Sequence, residues 1–201
     1  MDIFVFVTLL AIGVHVLRSR EQAQRIALLG SYLGKFQIEK LMQDLLNGYQ
    51  RALGETDEER QMQVWRYLEP AEQTLSEQFN RFVLEFAKVA EPQARVSRLP
   101  LALPFVSQHF PDTTLDMRKL LSVHAHGITQ ASQNDQTQSP RRKAFTLSAE
   151  LMLMQHSCHW FCRSKTVASA RLLARHQTAY AQVLEAVTTQ TRQTYFQLIK
   201  N

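Results

Sequence analysis

KAFTLSAELMLMQHSCHWFCRSKTVASARLLARHQTAYAQVLEAVTTQTRQTYFQLI, residues 143–199, runs for 57 residues without a proline or a glycine. Wound onto a helix at roughly 100° per residue, it places Leu147, Leu151, Met154, Cys158, Phe161 and Cys162 on one stripe. The stripe continues through Ala168, Leu172, Leu173, His176, Tyr180, Val183, Leu184, Val187, Tyr195 and Leu198. Its slow sideways drift is that of a repeat slightly shorter than 3.6 residues, which suits shallow packing against neighbouring helices. The expectation is one long helix serving as the spine of an all-α bundle of five or six helices. Its weak point is Arg163-Ser164-Lys165-Thr166, where Lys165 lands on the stripe to be buried.

Composition supports that class. Only six Gly and six Pro occur among 201 residues, and alternating strand patterns are nearly absent. A chain of this length fills a single core without staples. Cys158 and Cys162 stand four apart on one expected helix, so a disulfide between them would be strained, and reduced thiols in a cytosolic setting are expected. The net charge of +5 is uneven: residues 141–201 carry nine Lys and Arg against Glu150 and Glu185, whereas residues 55–91 carry nine acidic and four basic residues. An acidic helical pair thus shares the molecule with a basic C-terminal part.

Upstream, Ile3–Leu17 (IFVFVTLLAIGVHVL) holds no formal charge and is followed by Arg18, Arg20 and Arg25. As a helix it covers roughly 22 Å, short of the ~30 Å hydrocarbon core of a bilayer. Spanning then relies on local thinning or on snorkelling of the arginines. Asp2 replaces the basic start of a signal peptide, and no small-residue cleavage site follows. Residues 1–17 are therefore read as a single-pass membrane anchor, with the arginines placing the rest in the cytoplasm. The alternative is a helix buried on all sides in a soluble protein. His15 lies inside this segment, near its cytoplasmic end.

Residues 18–201 are read as one helical domain. An amphipathic helix runs to Leu53, loosened at Gly30 and Gly34. Thr56 and Glu59 form an expected capping box for the next helix, which either restarts or kinks at Pro70. Pro92, Pro100, Pro104 and Pro111 mark 91–112 as a strap, Thr113 or Thr114 is the expected cap of a helix fading near Gly127, and 130–142 is expected to be a polar, mobile loop.

The residues with potential chemistry fall in two groups. His156, Cys158, His159 and Cys162 are the candidate metal ligands, with His124 and His126 as donors from another helix and zinc as the possible ion. Against a metal, both cysteines lie on the apolar stripe, where they serve as small hydrophobes. Arg141, Arg142, Lys143, Arg163, Arg171 and Arg175 form the candidate surface for nucleic acid or an anionic membrane. The sequence contains no phosphate-binding Gly-rich loop, no G-x-S-x-G elbow, no H-E-x-x-H and no E-x-x-H pair. The reading is a non-catalytic membrane-anchored protein that offers helical surfaces to other proteins or to itself, with no small-molecule substrate indicated. The rivals are a soluble protein binding nucleic acid through residues 141–175, and a metal or redox site at residues 156–162.

Overall fold

The computed structural model describes residues 2–100, 110–133 and 138–200. In chain order the helices are α1 (Asp2–Leu33), α2 (Ile38–Gly54), α3 (Glu58–Phe86), the single turn α4 (Glu91–Ala94), α5 (Met117–Ser132), α6 (Pro140–Cys162), α7 (Lys165–His176), α8 (Tyr180–Ala186) and α9 (Thr189–Lys200). The architecture is the expected all-α bundle with an N-terminal apolar helix. One short antiparallel ribbon, β1 (Arg95–Ser97) with β2 (Thr114–Asp116), closes the two ends of the strap. Strap residues 101–109 and loop residues 134–137 lie outside the described residues.

The long C-terminal helix is four helices, not one, and a local device marks each break. After Arg163 the Ser164 side chain accepts the Val167 N–H at 3.3 Å and starts α7. This turns Lys165 off the stripe, so that its ammonium lies 5.3 Å from the ring centroids of both Trp160 and Tyr180. Gln177 then ends α7 in the left-handed region, φ 50°. At the last break Thr188 accepts the Thr191 N–H, while its own N–H donates to Glu150 Oε1 at 2.9 Å.

The spine is therefore α6 alone, and it is not buried on one face only. Ala149, Glu150, Leu151, Leu153, Met154, Gln155, His156, Ser157 and Cys158 are all buried, because α1, α2, α5, α7 and α8 pack around it. Trp160 Nε1 donates to Ser97 O at 2.9 Å and ties the ribbon to the same helix. A second aromatic seam links Tyr32, Phe86 and Phe161 edge to face, joining α1, α3 and α6.

Local signals were shifted by a residue or two where a carboxylate outcompetes a hydroxyl. Asp57, not Thr56, caps α3 by accepting the Arg60 N–H at 3.0 Å. Asp116, not Thr113 or Thr114, caps α5 by accepting the Arg118 N–H at 2.9 Å, and the two threonines sit in the turn and ribbon before it. α3 runs unbroken through Pro70. α1 ends beside Gly30 and Gly34, where the Gly34 N–H donates to Gly30 O at 2.8 Å. The expected loop 130–142 is helical at both ends, up to Ser132 and from Pro140.

α5 also continues through Gly127 instead of fading there. A Cβ at Gly127 would stand 2.3 Å from both Glu150 Oε2 and Thr191 Oγ1, so this glycine sets how closely α5, α6 and α9 approach. Alanine at this position would gain about 1 kcal/mol of helix propensity. Net destabilisation would therefore report the overlap, whose cost we expect to exceed that gain by about 1 kcal/mol. Urea unfolding of Gly127→Ala checks this, and unchanged or raised stability would contradict the packing described.

Candidate functional site

Three regions hold the residues with potential chemistry: the His/Cys segment of α6, the basic residues, and the foot where α1 meets the body.

The His/Cys segment is interior. The ring of His156 is stacked on Tyr180 at 4.4 Å, and its Nε2 lies 3.0 Å from Ser169 Oγ. Cys158 Sγ lies against Met154 Sδ at 3.9 Å, and both cysteines are free thiols. Burial pushes the Cys162 thiol up to about 11 and that of Cys158 higher still, which disfavours the thiolate a metal or a redox reaction needs. Among the described residues, no three His, Cys, Asp or Glu side chains are arranged to hold a metal ion. His156, Cys158, His159 and Cys162 are thus neighbours in sequence that do not converge. His124 faces Ser157 at 2.8 Å. Since the Ser157 hydroxyl donates to Leu153 O at 3.1 Å, it accepts from His124 Nε2–H, which fixes the tautomer.

Glu150 was missed as a structural residue. It is fully buried, and burial raises its carboxyl despite the hydrogen bonds it receives from Thr188 and Thr191. The signal was present: it lies three residues after Leu147 and four before Met154, on the apolar stripe itself.

The six basic residues do not form one surface. Lys143 is buried, with Nζ 2.5 Å from Glu72 Oε2, while the Tyr49 hydroxyl donates to Glu72 Oε1 at 2.7 Å. It belongs to an interior ion pair, and removing either partner would leave a charge without compensation. Arg163 lies at the foot, its Nη1 donating to Gln22 Oε1 at 3.0 Å. Arg171 lies near His159 and helps depress its pKa. Arg141, Arg142 and Arg175 do come together, around an open groove of about 790 Å³ between α2, α6 and the end of α7. His176, also on this groove, is held by Gln155 Oε1 at 2.8 Å.

At the foot, α1 carries two different surfaces. Residues 3–17 are solvent-exposed on every side, from Ile3 at 81% and Phe4 at 78% to Leu17 at 40%. From there on the same helix docks: Arg25 Nη1 donates to Phe161 O at 3.3 Å and pairs with Glu21 at 2.7 Å, while Leu29 is buried. The helix is long and apolar enough to cross a membrane. A helix buried within this bundle, the alternative for residues 3–17, is not what the structure forms.

No family model, curated protein or solved structure matches the chain.

The interior histidines make stability depend on pH. Burial lowers both His124 and His156 to about 3, from an unfolded value of 6.5. A depressed pKa gives stability that is complete above about pH 6.5 and is lost as pH falls through the folded value, at up to about 1.4 kcal/mol per pH unit for each histidine. Glu150, raised by burial, acts in the opposite sense, its contribution being lost as pH rises above its unfolded value of 4.5. We expect unfolding free energy to fall between pH 6.5 and 4.5, and His124→Gln to reduce the slope in that window. An identical slope in the variant would show that His124 is not neutral and buried.

Proposed function

We propose that the chain is a non-catalytic, single-pass membrane protein whose α1 anchors a helical domain on the cytoplasmic face, where that domain presents surfaces to other proteins or to further copies of itself. One observation carries the reading: residues 3–17 expose apolar side chains around the whole circumference of a helix that then continues into the body. An amphipathic surface helix would expose one apolar face at most. Apolar residues on all sides require an apolar solvent on all sides.

Arg18, Arg20 and Arg25 follow the apolar run, which favours a cytoplasmic body. Two unpaired thiols agree with a reducing compartment. The non-catalytic part of the reading is supported by what the interior polar groups do. Glu72, Glu150, His124 and His156 are engaged in holding helices together, and none opens onto the groove.

The full chain should stay with membranes through carbonate extraction, whereas a chain beginning at Ser19 should be recovered in solution with its helical circular dichroism retained. Collapse of the shorter chain into an unfolded or aggregated state would mean that residues 1–18 belong to the core. Release of the full chain by carbonate would end the anchor reading.

A further inference from the structure

We infer that the groove between α2, the first half of α6 and the end of α7 is the docking site for an acidic amphipathic helix of a partner protein. The inference rests on the proposed membrane-anchored interaction role and names the chemistry of the partner.

Two walls define the groove. Leu46, Tyr49 and Leu53 line it from α2, and Phe145 and Met152 from α6. On each wall the first and last apolar positions stand seven residues apart, about two helical turns or 10 Å. A helix laid along them would present apolar side chains at its i, i+3, i+4 and i+7 positions. Phe145 is 65% exposed and Leu53 49%, so both stand at the lip. A small ligand seated on the floor would leave these rims in water. A helix running the length of the groove covers them.

Charge sets the sign of the partner. Arg141 and Arg142, exposed in the first turn of α6, and Arg175, exposed in the last turn of α7, all line the groove, and among the described residues no Asp or Glu does. Glu72, behind the lining residue Tyr49, is neutralised by Lys143 and accepts a hydrogen bond from the Tyr49 hydroxyl. Arg175 donates to Gln43 Oε1 at 3.0 Å, a neutral partner that holds the guanidinium in place and leaves its charge uncompensated. Exposed arginines around an apolar strip recognise carboxylates around an apolar stripe.

Position separates this surface from the membrane foot. Arg141 lies 20 residues along α6 from Phe161, where α1 docks, which is about 30 Å of helix. The groove is also a recess between two helices, which a flat bilayer surface does not enter.

The test uses the full chain in nanodiscs of zwitterionic lipid. The probe is a fluorescent helical peptide of roughly 18 residues, with Leu at i, i+3, i+4 and i+7 and Glu on the remaining face. We expect saturable binding that weakens with salt. It should drop about tenfold or more in Arg141→Gln/Arg142→Gln and in Phe145→Ser, with melting temperatures unchanged because all three side chains are exposed. A peptide with Gln for Glu, or with Ser for Leu, should bind at least as poorly. Equal binding of the Gln or Ser peptide would overturn the inference, as would undiminished binding by the variants. So would tighter binding of an anionic vesicle, a fatty acid or an oligonucleotide with the same arginine dependence. Protein that binds the peptide but does not enter nanodiscs refutes the anchor alone, while protein that enters nanodiscs and ignores the peptide refutes the groove alone.

Discussion

Eleven large apolar side chains between Ile3 and Leu17 stand exposed, with none of the described residues covering them. Burying a side chain of this size is worth about 1.5–3 kcal/mol, so leaving the set largely in water forgoes on the order of 10–20 kcal/mol. That is comparable to or larger than the whole net stability of a typical domain, about 5–15 kcal/mol. On the proposal above, the cover is a bilayer. The same helix is held further along by Arg25, Leu29 and Tyr32, so the body is joined to the exposed apolar segment by a continuous α-helix without an intervening linker.

Within the body the governing constraint is the position of α6. A helix packed against five others must find partners for the polar side chains it buries, and α6 carries Lys143, Glu150, Gln155, His156 and Ser157 inside. Together they fasten four neighbours: Lys143 pairs with α3 through Glu72, Glu150 with the turn before α9, Gln155 and His156 with α7 through His176 and Ser169, and Ser157 with His124 of α5. Polar contacts with such fixed directions select one arrangement of helices, where an apolar surface alone would tolerate several. They also explain why a segment rich in His and Cys holds its neighbours in place without converging on an ion.

The all-α class and the exceptional character of residues 3–17 were legible in the sequence because both depend on composition and period. The course of residues 163–199 was not, although its caps were visible as Ser164 and Thr188, each an N-cap type opening a helix. An uninterrupted apolar stripe concealed them, since a chain that folds back on one core keeps the same stripe. The two three-residue strands are too short to show a period. Lys143 was read as part of an exposed basic surface and Glu150 only as one charge in a count, because only tertiary contact brings Glu150 to Thr188 and Lys143 to Glu72. The groove had no linear signature, for Leu53, Phe145 and Arg175 come from three helices. Of the basic residues singled out together, the fold gathers three and sends Lys143, Arg163 and Arg171 elsewhere.

The environment of the first half of α1 can be measured directly by spin labels at Phe4→Cys, Leu10→Cys and Met62→Cys in the full chain reconstituted into vesicles. The two native thiols, one buried and one partly buried, are followed as a control in the unsubstituted protein. We expect power saturation at Leu10 to respond to oxygen, which concentrates in hydrocarbon, and not to a water-soluble paramagnetic complex, with the opposite response at Met62, which is 51% exposed on α3. Access of the water-soluble complex to Leu10 equal to that at Met62 would contradict it.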